Sequence, residues 1–149
     1  MGKGVSPSIL EDIKRILQDG SLILVHGGGR EVTELASKLG KEQKFIVSPG
    51  GIRSRYTDKE TASIFTMVMA GRLNKEIVAA LQGATVNAVG VSGVDGALLR
   101  ADRKKRLVVV DDSSRKRAID GGYTGKISGV NASFLNLLLE SGFTPVVSP

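Results

Sequence analysis

The sequence predicts an α/β domain with a mainly parallel sheet and a small antiparallel β insert, and three observations carry that expectation. Both ends of the chain alternate amphipathic helical stretches with short apolar runs, the order that builds parallel strands covered by helices. The run Leu22-Ile23-Leu24-Val25 passes through His26 into Gly27-Gly28-Gly29, and then into a helical stripe of Val32, Leu35, Ala36 and Leu39. Between residues 98 and 127 helical periodicity disappears, and the chain becomes polar and strand-like.

Taken in order, Ser6 caps a first helix, with Pro7 in its first turn and Ser8 and Glu11 at capping-box spacing. Ile9, Leu10, Ile13, Ile16 and Leu17 form its apolar face, and Asp19-Gly20 ends it. Residues 22–25 read as a strand buried on both faces. Phe45-Ile46-Val47 is a short strand, whereas residues 48–56 hold too much Pro and Gly to be regular. Thr57-Asp58-Lys59-Glu60 is capping-box sequence opening the longest helix, which runs to about Gln82. Its buried side is Ile64, Met67, Val68, Gly71, Leu73, Ile77, Val78 and Leu81.

Residues 86–91 are strand-like, and Ser92-Gly93-Val94-Asp95-Gly96 turns the chain. Leu98-Leu99 and Leu107-Val108-Val109-Val110 read as two strands of a hairpin or meander around Arg103-Lys104-Lys105-Arg106. Residues 115–119 and 123–127 add two short strands. Asn131 caps a last helix with Phe134, Leu135, Leu137, Leu138 and Leu139 on its face, Gly142 ends it, and residues 144–147 form a final strand.

A chain of 149 residues has the size of one domain and buries a full core. Without cysteine there is no disulfide and no Cys-based zinc site, and with one histidine there is no His-cluster metal site. No apolar run reaches the roughly 18 residues of a membrane span, so the reading is a cytoplasmic protein without a membrane partner and without a bound metal. A net charge of +6 calls for an acidic partner.

The chemistry concentrates where the first strand gives way to its helix. A strand, a glycine turn and a helix N-terminus aim several backbone N–H groups at one spot, a seat for a phosphate or carboxylate. The spacing matches neither Gly-x-Gly-x-x-Gly nor the P-loop. His26 reads as a packing or backbone-bonding residue, Asn74-Lys75 as a solvated or helix-packing pair, Asp95 as a turn former and Arg53 as an exposed loop residue. Tyr123 reads as lining a substrate entrance or covering a sheet edge.

Five segments in register, Val25-His26-Gly27-Gly28-Gly29, residues 51–58, Asn74-Lys75, residues 89–96 and Thr144-Pro145-Val146-Val147, carry a resemblance to the amino-acid kinase superfamily, in its N-acetylglutamate kinase branch. Ser54-Arg55-Tyr56-Thr57-Asp58 and Gly122-Tyr123-Thr124-Gly125-Lys126 are most similar to kinases acting on aminoadipate or glutamate attached to the carrier protein LysW, in lysine and arginine biosynthesis. The resemblance implies a three-layer sandwich. It implies transfer of the γ-phosphoryl group of ATP, as its Mg²⁺ complex, to a side-chain carboxylate.

By the same resemblance, Gly28 and Gly29 bind substrate, and Arg55 holds its α-carboxylate, for which a planar fork of donors is suited. It implies a homo-oligomer. It also implies that residues 1–149 form the acceptor-substrate half of the domain, without the family's first strand, its ATP-binding lobe or its catalytic lysines, so that no catalytic residue lies in this chain and the chain is inactive alone. Arg103, Lys104, Lys105, Arg106, Arg115, Lys116 and Arg117 are the candidate contact for acidic LysW. Two alternatives stand beside this reading: an N-acetylglutamate kinase of arginine biosynthesis, and a non-catalytic basic module binding an acidic protein or nucleic acid. Nucleic acid ranks low, because the basic residues are not interleaved with aromatics.

Overall fold

The computed structural model describes residues 5–111 and 113–149. Its central sheet is parallel, three strands in the order β1-β9-β4, formed by Leu24–Val25 (β1), Thr144–Ser148 (β9) and Ala88–Ser92 (β4). The middle strand, β9, is buried at all five positions. Side chains alternate across a strand, and Val146 and Val147 accordingly enter two different cores. Val146 joins Ile13, Leu81, Val86 and Ala88 beneath helices α1 (Pro7–Asp19) and α4 (Asn74–Gly83). Val147 joins Val91 and Leu98 on the opposite face, under Phe134, Leu135 and Leu138 of α5 (Ala132–Glu140). Helix, sheet and helix make the three layers.

The expected strand at residues 22–25 is shorter and less buried than its composition implied. Only Leu24 and Val25 pair, with Val146 and Val147, and Val25 is 61% exposed. The cause is position: β1 pairs on one side only among the described residues. An apolar run in a parallel sheet is buried on both faces only where neighbours cover it.

Helix α2 (Gly29–Lys38) buries Val32 and Ala36 against α3 (Lys59–Thr66), while Leu39, expected on that stripe, is 57% exposed as the C-cap. The long helix continues from α3 through a π-helical stretch, Met67–Leu73, into α4. Periodicity missed that widening, so Met67 and Gly71 face solvent and Met69 is buried instead. Both capping boxes resolve differently from the pattern. Ser6 Oγ accepts from the Ile9 amide at 3.4 Å, and Glu11 pairs with Lys14 rather than reaching back. Asp58, not Thr57, caps α3, its Oδ1 accepting from the Thr61 amide at 2.8 Å, and Glu60 pairs with Lys41 at 2.7 Å.

The antiparallel part holds six strands. Residues 48–56 are not irregular: β2 (Phe45–Val47) and β3 (Arg53–Arg55) form a hairpin with Phe45 opposite Arg55. The Pro and Gly residues serve its turn, where the Gly51 amide donates to Ser48 O at 2.9 Å with φ at 78°. The hairpin expected around residues 103–106 does not form. β5 (Leu99–Arg103) pairs with β8 (Gly125–Val130), and β6 (Arg106–Val110) pairs with β7 (Lys116–Asp120) and with β2. Lys104 and Lys105 are a corner between two sheets, crossed closely by Gly121, where a Cβ would stand 1.6 Å from Lys104 O. No helix among the described residues is long and apolar enough to cross a membrane.

Candidate functional site

The glycine turn leaves the carboxyl end of β1, where parallel sheets present their loops to ligands. The His26 amide donates to Val147 O at 3.2 Å, extending the sheet by one bond before the chain turns away. Gly28 is favoured by packing, since a Cβ there would meet Leu73 Cδ1 at 2.1 Å and Met69 Sδ at 2.7 Å, the ends of two flexible side chains from the π-helical stretch that would have to shift. Gly27 and Gly29 have nothing within 4 Å of an added Cβ, and neither has a positive φ. Packing and backbone conformation therefore leave these two positions unexplained. Among the described residues, the amides of Gly27, Gly28 and Gly29 meet no protein acceptor, and no side chain caps α2. Unpaired N–H groups at a helix N-terminus form an anion seat.

Arg55 reaches that turn from β3. Its Nη2 donates to Gly29 O at 2.8 Å and to Thr33 Oγ1 at 2.9 Å, and its Nη1 donates to Gln43 Oε1. The guanidinium carbons of Arg53 and Arg55 lie 4.1 and 5.2 Å from the Phe45 ring centroid, within cation–π range. Partial burial pushes the Arg55 pKa below its ordinary value. Arg55 thus bridges the hairpin and the first turn of α2, and Arg53 stacks on an aromatic instead of extending freely.

Behind the turn lies a second polar group. His26 Nδ1 lies 3.2 Å from Gly27 O, and His26 Nε2 lies 3.3 Å from Asn74 Nδ2. One tautomer satisfies both contacts: Nδ1–H donates to the carbonyl and Nε2 accepts from the carboxamide. Asn74, 1% exposed, also donates to Val146 O at 2.9 Å, and its Oδ1 accepts from Lys75 Nζ at 3.1 Å. Gly90 admits this group, since a Cβ there would come within 1.9 Å of Asn74 Oδ1. Of the pair read as solvated or helix-packing, Lys75 is exposed, whereas Asn74 is buried against the sheet, on the face of α4 that carries Ile77, Val78 and Leu81. His26 bonds the backbone as expected.

Asp95 is a turn former. Its Oδ2 accepts from the Ser92 amide at 2.6 Å and from Ser92 Oγ at 2.8 Å, which holds its carboxyl below the usual range. Tyr123 is 60% exposed, and its amide donates to Thr57 O at 2.8 Å, which sets the Gly122 corner beside the segment following Arg55. The seven basic residues do not form one patch. Arg103, Lys104, Lys105 and Arg106 lie at the end of the β6–β7 ribbon where Arg106 faces Asp120, and Arg115, Lys116 and Arg117 lie at the other end, where Val110 faces Lys116. Arg103 and Arg117 are committed to Asp120 and Asp111 at 2.8 and 2.9 Å, while Lys104, Lys105 and Arg106 make no ion pair among the described residues.

A family model described as the amino acid kinase family matches residues 3–149. The chain belongs to the amino acid kinase family. Two curated relatives illustrate the branch. A Saccharolobus solfataricus protein named LysW-aminoadipate/LysW-glutamate kinase is 46% identical over 149 residues, covering 99% of this chain and 56% of its own length. A Nitrosopumilus maritimus protein, given the same name provisionally, is 62% identical over 143 residues, covering 96% of this chain and 54% of its own. The chain spans about half the length of the curated relatives it matches. Among solved structures, a Streptococcus mutans UA159 protein superposes with a TM-score of 0.75 at 22% identity, over 96% of this chain and 52% of that one, which shows the shared fold.

Within this kinase family, the sequence pointed to Gly28, Gly29 and Arg55, and the fold brings all three together. It did not point to Thr33 or Gln43, and it marked Asn74-Lys75 as a segment of the resemblance without placing Asn74 on the sheet. Thr33 sits one helical turn after Gly29, a spacing that could have flagged it. Gln43 follows no pattern.

Proposed function

We propose that this chain forms the acceptor-binding part of a kinase that phosphorylates the side-chain carboxylate of aminoadipate or glutamate linked to the carrier protein LysW. A carboxylate oxygen attacks the γ-phosphorus of ATP, the bond to the bridging oxygen breaks, and ADP leaves with its electron pair, giving an acyl phosphate. The observation that carries this reading is the meeting of the Arg55 guanidinium with Gly29 O, beside the amides of Gly27, Gly28 and Gly29, which have no acceptor among the described residues. Preorganised N–H donors stabilise the charge spread over phosphoryl oxygens in transfer, and a guanidinium near them holds the far carboxylate of the acceptor.

Mg²⁺ would come with ATP, bound to its phosphates, and no residue of this chain is assigned to it. The amide seat suits anionic oxygen, which is the donor chemistry the phosphates require. On this reading the lysines that complete catalysis come from the part of the relatives that this chain does not match, and the chain alone does not turn over. The enzyme works in the cytoplasm as a homo-oligomer, and the Lys104, Lys105 and Arg106 corner, without an ion pair among the described residues and beside Gly121 and Gly122, meets the acidic carrier.

The test is ADP release by a full-length enzyme containing this chain, offered LysW-linked aminoadipate, LysW-linked glutamate and free N-acetylglutamate. Turnover is expected with a carrier-linked acceptor only. Arg55→Ala is expected to raise KM about 100-fold, the loss of a charge-assisted pair. Efficient turnover of free N-acetylglutamate would replace the carrier reading with the free-acceptor one, and an unchanged KM in Arg55→Ala would remove Arg55 from the site.

A further inference from the structure

Three of the five N–H donors of Arg55 already serve protein acceptors, both of Nη2 and one of Nη1, so a carboxylate that grips the two terminal nitrogens together must displace one of them. Nη1 is on Gln43 Oε1, and Nη2 is shared between Gly29 O and Thr33 Oγ1, which themselves lie 3.1 Å apart through the Thr33 hydroxyl donating to Gly29 O. Gln43 keeps this contact under an unfavourable condition, because its Nε2 is buried and has no partner among the described residues. A buried N–H left unpaired opposes folding. The carboxamide could relieve that by turning over only if it gave up Arg55, since its oxygen is the group that accepts from Nη1.

From this we infer that Gln43 and Thr33 are positioning residues that compete with the acceptor's carboxylate for the Arg55 guanidinium, and so set the affinity for the acceptor. The inference rests on the reading of Arg55 as the carboxylate anchor. An incoming carboxylate takes N–H donors from Thr33 and Gln43, and its net gain is the difference between two charge-assisted bonds and the bonds they replace. Weakening the protein's hold strengthens ligand binding, and tightening that hold weakens it.

Two substitutions move the competition in opposite directions. Thr33→Val keeps the β-branched shape on the helix surface and deletes the hydroxyl. Gln43→Glu turns a neutral acceptor into a charged partner for Nη1 and removes the unpaired N–H. Titration calorimetry of the 149-residue chain with N-acetyl-L-2-aminoadipate reads the result directly. Thr33→Val is expected to lower Kd about tenfold, the worth of one hydrogen bond to a charged group. Gln43→Glu is expected to raise Kd about tenfold, and Thr33→Ser, which keeps the hydroxyl, to stay near wild type. A role confined to stability would move both variants the same way or neither.

Arg55→Ala separates the two levels of the argument. If it leaves Kd unchanged, the anchor reading itself falls. If it weakens binding while Thr33→Val fails to tighten it, the anchor stands and the competition is refuted. Unfolding curves recorded on the same variants identify any that lose the fold; Gln43→Asn, whose shorter side chain releases Nη1 without a change in charge, is then expected to lower Kd against an unchanged Thr33→Ser, and an unchanged Kd in Gln43→Asn refutes the competition.

Discussion

Gly28 and Gly29 are adjacent glycines that the structure treats differently, and alanine at each separates packing from ligand access. At Gly28 the new methyl group would stand 2.1 Å from Leu73 Cδ1 and 2.7 Å from Met69 Sδ. Both are the far ends of flexible side chains, so the overpacking cost falls at the low end of its range, about 1 kcal/mol. For a chain of this size that lowers Tm by roughly 2–4 °C. At Gly29 the methyl group meets nothing within 4 Å, and the residue opens α2 without a positive φ. Alanine there leaves Tm unchanged or raises it slightly, through a gain of up to about 0.5 kcal/mol from the stiffer unfolded chain. On the proposed reading an acceptor seated on the amides comes close to this backbone and the methyl group crowds it, so N-acetyl-L-2-aminoadipate binding should weaken about 10- to 100-fold, the loss of one hydrogen bond to a charged group. Scanning calorimetry and titration calorimetry on the two variants check this. A Gly29→Ala chain that melts like wild type and binds like wild type would refute the amide seat, and one that melts as low as Gly28→Ala would make Gly29 a packing residue.

Asp58 offers a pH test of the cap that sets α3 after Arg55. Lys41 and the Thr61 amide hold its carboxyl down at about 2, below its unfolded value of 3.8. A depressed acid stabilises the fold above its unfolded pKa and loses that contribution as pH falls toward 2. The full shift corresponds to about 2.4 kcal/mol. With 39% of the side chain in water, screening reduces this to about 1 kcal/mol. Asp58→Ala should therefore cost about 1–2 kcal/mol at pH 7, cap included, and the gap in urea midpoints should narrow as pH falls from about 4 through 2 toward the worth of the cap alone; a gap as wide at pH 2 as at pH 7 contradicts the pairing. Asn74→Leu should cost about 3 kcal/mol, because Val146 O loses its donor and His26 Nε2 faces an apolar group, and a Tm within 2 °C of wild type would show that the buried network contributes little.

How much of this was legible in the sequence depended on whether the cause was local. Ser6, Asn131 and the glycine ends of helices act within one turn, and β2, β9 and α5 stand where their patterns placed them. The strand at residues 22–25 read as central because apolar composition records hydrophobicity, not which neighbours are present. Strand β3 was hidden because Arg-Ser-Arg has no apolar alternation; its register comes from Phe45 opposite Arg55 and from the Ser48–Gly51 turn. The pairing of β5 with β8 across more than twenty residues follows from close backbone crossings at Gly121 and Gly125, which no periodicity encodes. At the candidate site, the motif residues Gly28, Gly29 and Arg55 stand together, whereas Gln43, which accepts from Arg55, belongs to no motif.

The most direct measurement is a ¹⁵N correlation spectrum of the chain titrated with N-acetyl-L-2-aminoadipate. The account predicts that the amides of Gly27, Gly28 and Gly29 and the Arg55 Nε–H shift together, along one binding curve. Saturation with those four signals unmoved, and the largest shifts elsewhere in the molecule, would contradict it.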